Sequence, residues 1–236
     1  ASDVYKRQEL PSVSVIIPAY NEEKYLGTTI AQILETQFPC EIIVVDDGST
    51  DRTPLLLEEF QAQVRVVRHP VNLGKGAALA SGIRAATGEI VVFCDAHLLG
   101  LKQYHLLSLV LPLVQGSARA VLGAAVSGTP IFPLVGMPVL TGQRAYFRRD
   151  LEPLLDRMRS LGYGVELFLF RCFPREQTAV VLLPGLVHLL KHQFRSPAAA
   201  ARGYFRESVE IAATLMQLGG MPAIHLSFWR RKLVSD

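Results

Sequence analysis

The sequence places a carboxylate and an imidazole two residues apart at the end of an apolar run. Residues 90–94 are apolar without a break, and Asp95, Ala96 and His97 follow directly. Such a run is typical of a buried parallel strand, and α/β sheets bind ligands at the carboxyl ends of their strands. The two side chains could therefore hold a divalent cation against a phosphate. On this stretch alone a second interpretation stays open, in which Asp95 caps a helix and His97 is a surface residue.

Polar loops also follow two earlier predicted strands, residues 13–17 and 41–45. After the first strand, we expect Asn21 to cap a helix whose first turn carries Glu22 and Glu23. This places one polar loop at the carboxyl end of the first strand.

The second strand ends in the acidic loop DDGSTD, residues 46–51. Ser49 or Asp51 is expected to cap the next helix, residues 52–61. A carboxylate-rich loop with a glycine here again indicates a ligand site at a strand end.

A glycine-rich segment, residues 72–78, follows a third predicted strand, residues 64–67, and opens a helix that runs to about Ala86. Its glycines let the backbone approach a ligand, and Lys75 supplies a positive charge. The segment has neither the spacing of a phosphate-binding P-loop nor that of a dinucleotide fingerprint.

These segments predict a β-α-β-α-β-α-β order over the first hundred residues, with parallel strands and crossover helices. Three of the four strands end in polar clusters. Because the carboxyl ends of parallel strands meet at one edge of the sheet, the clusters are expected to form one site.

Composition and length favour one α/β domain. The chain has 236 residues, half of them hydrophobic, and a mean hydropathy of +0.27, which excludes a disordered chain. No apolar run reaches the roughly 18 residues of a membrane-spanning helix, and we expect no signal peptide. Three cysteines without metal-ligand spacing are expected to be buried free thiols in a reducing, cytoplasmic compartment.

Four segments resemble the nucleotide-sugar domain of family 2 glycosyltransferases. They are residues 15–23, 44–53, 72–78 and 95–97, in the order and spacing of that family. The resemblance implies a single Rossmann-like GT-A domain, with a mixed, mainly parallel α/β sheet flanked by helices and a helical C-terminal part. It also implies transfer of a sugar from a nucleotide diphosphate sugar, with UDP as the expected nucleotide and Mn²⁺ or Mg²⁺ as the cofactor.

The resemblance implies donor-site roles for residues in these segments. Ala19 and Glu22 are expected near the uridine, Asp47 near the uracil, Lys75 near the base or phosphate, and Asp95 on the metal. The full set expected at the nucleotide sugar is Pro18, Ala19, Tyr20, Glu22, Asp46, Asp47, Gly74, Lys75, Asp95 and Ala96.

The usual aspartate-x-aspartate of the family is here Asp95-Ala96-His97. Because an imidazole is a softer ligand than a carboxylate, the metal identity and the role of His97 stay open. A further candidate ligand is His188, which matches a metal-holding histidine of glucosyl-3-phosphoglycerate synthases. A lone histidine in an apolar stretch is more often a core residue. The metal set expected from the sequence is Asp95, His97 and His188.

Residues 139–145 resemble the acceptor-side segment of the family, so Gly142, Arg144 and Arg148 are expected at the acceptor. The arginines could grip a phosphate, or they could be ordinary residues of a surface helix. Glu166 lies among apolar residues in a segment similar to the Gly-x-Glu of prenyl-phosphate glycosyltransferases and glucosyl-3-phosphoglycerate synthases. It could be the general base of an inverting enzyme, or have an orienting or structural role. Asp95 and Glu166 are the catalytic candidates.

We expect four parts in the chain: a disordered or non-native leader (1–10), a nucleotide-sugar-binding half (11–100), an acceptor-side half (101–195), and a C-terminal helix with a basic tail (196–236). The tail could contact the inner face of a membrane peripherally. We expect a nucleotide-sugar donor, a phosphorylated or lipid-linked acceptor and a homodimer, but no nucleic acid.

Two other functions stay open. A nucleotidyltransferase has a similar sheet but normally needs a glycine- and arginine-rich loop after the first strand, where this chain has Pro18 to Glu22. A non-catalytic nucleotide-sugar binder would keep the fold without the reaction.

Overall fold

The computed structural model describes residues 10–126, 141–189 and 196–218. Nine strands are described: β1 (Val13–Ala19), β2 (Glu41–Asp46), β3 (Arg65–Arg68), β4 (Ile90–Phe93), β5 (Leu98–Leu99), β6 (Ala120–Val126), β7 (Arg144–Phe147), β8 (Thr178–Pro184) and β9 (Val187–His188). Seven of them form one sheet in the order β3-β2-β1-β4-β7-β6-β8, and β5 pairs with β9.

The first half of the sheet is parallel, as the sequence predicts. Strands β1 to β4 pair in parallel because each connection crosses the sheet through a helix: α1 (Leu26–Glu35), α2 (Thr53–Glu59) and α3 (Lys75–Ala85). The apolar runs of β1, β2 and β4 are buried on both faces. All three strands therefore present their loops at one edge.

Strand β7 makes the sheet mixed. It lies between β4 and β6 and is antiparallel to both, whereas β6 and β8 pair in parallel. Arg144 begins this strand and pairs in register with Phe93 of β4. The chain thus returns from a distant segment to the strand that ends at Asp95.

Helices cover the second half of the sheet: α4 (Gln103–Val114), α5 (Arg148–Leu151), α6 (Leu155–Arg159), α7 (Val165–Cys172) and α8 (Pro197–Gln217). The C-terminal helix α8 packs on the start of α7, where the Glu210 carboxylate accepts a hydrogen bond from the Tyr163 backbone N–H at 2.8 Å. Within the described ranges, no helix is both long and apolar enough to cross a bilayer.

Two local predictions are wrong. Helix α1 begins only at Leu26, so Asn21 is not its cap and no acidic residue lies in its first turn. Asn21 instead adopts a left-handed conformation, with φ of 56°, and its side-chain oxygen accepts the Thr50 backbone N–H at 2.8 Å. Asparagine tolerates this conformation, and its side chain readily hydrogen-bonds to the backbone of a loop. Here it bonds to the loop after β2 and does not cap the helix. Asp51 does accept the Thr53 N–H at the start of α2, at 2.9 Å.

The cysteines are free, as predicted, but they are not all buried. Cys94 is buried, Cys40 is half-buried and Cys172 is exposed. Cys172 ends α7, where the helix turns its last residue away from the core. The predicted membrane-contacting tail lies outside the described residues, and neither it nor the homodimer gains support from the fold.

Candidate functional site

The loops after β1, β2 and β4 line one cleft of ≈ 530 Å³ at the carboxyl edge of the sheet. The starts of α3 and α7, strand β9 and the N-terminal half of α8 complete it. Twelve residues expected at the site line this cleft: Pro18, Ala19, Tyr20, Glu22, Asp47, Gly74, Lys75, Asp95, Ala96, His97, Glu166 and His188. The structure thus brings together most of the predicted site.

Lys75 joins the two catalytic candidates. Gly74 precedes it with φ of 94°, a conformation that favours glycine, and α3 begins at Lys75 itself. The Lys75 ammonium nitrogen lies 2.9 Å from Asp95 Oδ1 and 2.6 Å from Glu166 Oε1. Burial alone would lower the pKa of Lys75, but the two carboxylates outweigh it and raise the pKa. Lys75 is therefore a fixed positive charge in the cleft.

Asp95 has two further partners. Gln143 donates its side-chain N–H to Asp95 Oδ2 at 2.9 Å, and His188 Nε2 lies 3.1 Å from the same oxygen. Burial raises the pKa of Asp95, yet Lys75 and His188 reverse this and hold it well below its ordinary value. Burial also lowers the pKa of His188, and the hydrogen bond to Asp95 reverses it, so the net shift is upward. Asp95 is a carboxylate held in its charged form.

Of the two predicted histidines, His188 is the one within hydrogen-bond distance of Asp95 in the described contacts. His97 Nδ1 lies 3.5 Å from Glu22 Oε2, and the two imidazole rings lie 4.7 Å apart, centre to centre. Within residues 10–126, 141–189 and 196–218, no three His, Cys, Asp or Glu side chains converge closely enough to hold a metal ion. Asp95 and His188 supply two ligand atoms, which suits an ion whose other ligands are substrate phosphate oxygens.

The two aspartates at the end of β2, Asp46 within the strand and Asp47 directly after it, have different contacts. Asp47 lines the cleft, and its oxygens accept the backbone N–H groups of Leu73 and Gly74 at 2.9 and 2.8 Å. Asp46 does not line the cleft and accepts the Ser49 N–H at 3.0 Å. Asp47 thus connects the acidic loop to the glycine-rich loop, whereas Asp46 shapes its own turn.

The three predicted acceptor residues do not line the cleft. Gly142 lies behind Asp95, and Arg144 is buried, donating to the Glu166 carbonyl oxygen at 2.9 Å and to the Tyr146 hydroxyl at 3.2 Å. Arg148 lies at the opposite end of β4, where it donates to the Gly88 carbonyl oxygen at 3.0 Å. Arg144 therefore braces the segment that carries Glu166.

Sequence reasoning did not assign site roles to several cleft residues. The missed residues that line it are Asn21, Asn72, Ala78, Tyr163, Leu189, Arg202, Gly203, Tyr204, Arg206 and Glu207. Half of these belong to α8, whose position follows from contacts with distant residues such as the Arg206–Asn72 hydrogen bond of 3.1 Å. The only signal in the sequence was the group of charged residues Arg202, Arg206 and Glu207 within an alanine-rich helix.

Comparisons with known proteins point to one family. The sequence model of the family described as Glycosyl transferase family 2 matches residues 14–131, half of the chain. A probable glycosyltransferase of Bacillus subtilis is 40% identical over 98 residues, which are 38% of this chain and 23% of that protein. A glucosyl-3-phosphoglycerate synthase of Mycolicibacterium paratuberculosis is 29% identical, covering 89% of this chain and 73% of its own length.

A solved structure is similar over most of the fold. The glucosyl-3-phosphoglycerate synthase of Mycobacterium tuberculosis, in complex with Mn²⁺, UDP-glucose and phosphoglyceric acid, has a TM-score of 0.68 and 28% identity. The match covers 90% of this chain and 81% of that chain. A structure of the same synthase with Mg²⁺ and UDP has a TM-score of 0.69.

Proposed function

The chain belongs to glycosyl transferase family 2, and from this premise we propose that it transfers a sugar from a UDP-sugar to a small acceptor that carries a phosphate. The similar synthase of Mycobacterium tuberculosis binds UDP-glucose and phosphoglyceric acid, which supports this donor and acceptor class. Arg202 and Arg206, on the α8 side of the cleft, are suited to an acidic acceptor.

The observation that carries the proposal is the convergence of Lys75, Asp95, Glu166 and His188 in one cleft. A nucleoside diphosphate leaves as a polyanion, so its departure is slow unless positive charge lies where the negative charge develops. The two carboxylates hold the Lys75 ammonium in place, and it therefore needs little reorganisation during the reaction.

Asp95 and His188 are the residues that would hold a divalent cation, because their oxygen and nitrogen atoms lie 3.1 Å apart at the cleft. When bound, such an ion supplies charge neutralisation for the diphosphate leaving group. Gln143 holds the same carboxylate from the side of β7, so it orients Asp95.

Glu166 is proposed to orient Lys75 and to contact the acceptor. Its Oε1 atom accepts from Lys75 at 2.6 Å, and the residue lines the cleft. The Lys75 ammonium thus occupies one of the two oxygens that a general base would offer to an acceptor hydroxyl. This contact favours an orienting role over that of general base.

The test is UDP release from UDP-glucose by the purified chain with Mn²⁺, in the presence of 3-phosphoglycerate or of a polyprenyl phosphate. We expect release with 3-phosphoglycerate, loss of at least two orders of magnitude in Asp95→Asn, and no change in Asp156→Asn. Asp156 is a matched control because its side chain is 93% exposed.

Three results would contradict the proposal in different ways. Turnover with polyprenyl phosphate but not with 3-phosphoglycerate would show that the acceptor is lipid-linked. Pyrophosphate release from UTP and a sugar phosphate would identify a nucleotidyltransferase. UDP-glucose binding without turnover with either acceptor would identify a non-catalytic binder.

A further inference from the structure

Behind Asp47, two side chains form a hydrogen-bonded chain that leads away from the cleft. His69 Nδ1 lies 2.7 Å from Asp47 Oδ1, and His69 Nε2 lies 2.8 Å from the Ser81 hydroxyl. We propose that His69 is a positioning residue that fixes the direction of the Asp47 carboxylate and thereby sets a preference for uracil over cytosine in the nucleotide. The inference rests on the proposed function, since it concerns the donor of that reaction.

The direction of each hydrogen bond follows from the chemistry of the groups. A carboxylate oxygen only accepts, so His69 Nδ1 carries the proton that it shares with Asp47. In the neutral ring Nε2 then accepts from the Ser81 hydroxyl, which holds the imidazole from its far side. The His69 and Asp47 side chains are only 9% and 4% exposed, so water competes little for these contacts.

Three N–H donors from the protein fix Asp47. His69 and the Leu73 backbone both donate to Oδ1, and the Gly74 backbone donates to Oδ2. A carboxylate has about four acceptor positions, so one position, on Oδ2, is left for a ligand. Since Asp47 lines the cleft, this position suits a donor group of the bound base.

Uracil and cytosine differ in what they offer to such a position. Uracil carries a hydrogen on N3 and can donate it, whereas N3 of cytosine has a lone pair that a carboxylate repels. Cytosine could still bind if the carboxylate turned to meet its amino group. That rotation would break the hydrogen bonds from His69, Leu73 and Gly74, and the His69 bond is the one of the three that comes from a side chain. A carboxylate held in one direction thus discriminates between uracil and cytosine, whereas a carboxylate that is free to turn would bind both.

The experiment is isothermal titration of UDP and CDP with Mn²⁺, using the wild-type protein, His69→Ala and His69→Asn. The amide N–H of asparagine can replace His69 Nδ1, so His69→Asn is the matched control. We expect His69→Ala to bind UDP about tenfold more weakly and to lose most of the preference over CDP, because a hydrogen bond to a charged group is lost. We expect His69→Asn to keep the wild-type ratio within about twofold.

The inference is overturned if His69→Ala keeps the UDP to CDP ratio of the wild type, or if His69→Asn loses it together with His69→Ala. A purely structural role would weaken both nucleotides equally and leave the ratio unchanged. If circular dichroism shows that His69→Ala does not fold, His69→Phe fills the same space without the donor and is measured in its place. Failure of the wild-type protein to bind UDP at all would instead contradict the proposed function.

Discussion

Gly142 lies directly against the carboxylate of Asp95. A Cβ atom on residue 142 would come within 2.1 Å of Asp95 Oδ2 and 2.2 Å of Oδ1. The carboxylate cannot move aside freely, because Lys75 and Gln143 hold its two oxygens at 2.9 Å. Residue 142, two positions before β7, therefore has to be glycine for Asp95 to keep its place.

Gly142→Ala is expected to lower the rate of UDP release by about a hundredfold, since a displacement of about 1 Å at a reacting centre has effects of that size. The measurement is the UDP-release assay with Mn²⁺, with folding checked by circular dichroism. Gly27→Ala is the control, because its added methyl group would meet only side-chain ends, those of Leu56 at 3.1 Å and of Phe60 at 3.6 Å. Full activity of Gly142→Ala would show that Asp95 does not act at this position.

Lys75→Met is expected to destabilise the fold by about 3 kcal/mol, because it removes the cation that two buried carboxylates share. Urea unfolding measures this change. Adding Glu166→Gln should recover part of the lost stability, since it removes one of the two charges. Simple additivity of the two substitutions would argue against a direct interaction between Lys75 and Glu166.

Arg144→Leu is expected to lower stability by several kcal/mol without a specific effect on the acceptor KM, because its guanidinium donates only to groups inside the protein in the described contacts. Arg148→Ala, at the other end of β4, should leave the acceptor KM unchanged. Thermal unfolding and acceptor titration separate the two effects. A higher acceptor KM in a stable Arg148→Ala protein would support the acceptor role predicted from the sequence.

His188→Ala should raise the Mn²⁺ concentration for half-maximal activity by at least about tenfold, whereas His97→Ala should change it less. The reason is that His188 lies 3.1 Å from Asp95 Oδ2, while His97 faces Glu22. Metal titration of UDP release measures both. A larger increase in the required Mn²⁺ concentration for His97→Ala than for His188→Ala would identify His97 as the nitrogen ligand.

The free energy of unfolding should fall at acid pH because His105 becomes protonated. Burial lowers the pKa of this histidine, and its ring already accepts the Lys102 N–H through Nδ1 at 3.0 Å and contacts the Pro184 carbonyl oxygen through Nε2 at 2.9 Å. The stability that unprotonated His105 contributes is complete above pH 6.5, the ordinary pKa of histidine. It is lost as the pH falls below that value, because His105 in the unfolded chain takes up a proton first.

His105→Gln can keep both hydrogen bonds but cannot titrate. We therefore expect the free energy of unfolding of the wild type, relative to His105→Gln, to fall by up to about 1 kcal/mol between pH 7.5 and pH 5.5. Urea unfolding at the two pH values measures this difference. A difference that does not change with pH would show that His105 is protonated equally in both states.

The sequence predicted the parallel half of the fold because its signals are local. Apolar runs such as residues 41–45 specify buried strands, and the polar residues at their ends meet wherever the strands are parallel. The place of β7 and the cleft-lining role of α8 could not be predicted in this way. They depend on pairing between distant residues, such as Arg144 with Phe93, for which short-range patterns carry no information. Asn21 was misassigned for the same reason, since its partner Thr50 is 29 residues away.

The walls of the cleft come from separate stretches of chain. The loops that follow β1 and β2, together with the glycine-rich loop, lie before residue 80, whereas Tyr163, Glu166, His188 and α8 come after residue 160. Under the proposed function, a lineage could therefore change its acceptor by mutating the later stretch while the earlier loops stayed unchanged. The Lys75–Glu166 ion pair limits such divergence, because it joins the two walls. A substitution of either residue leaves the other without this partner.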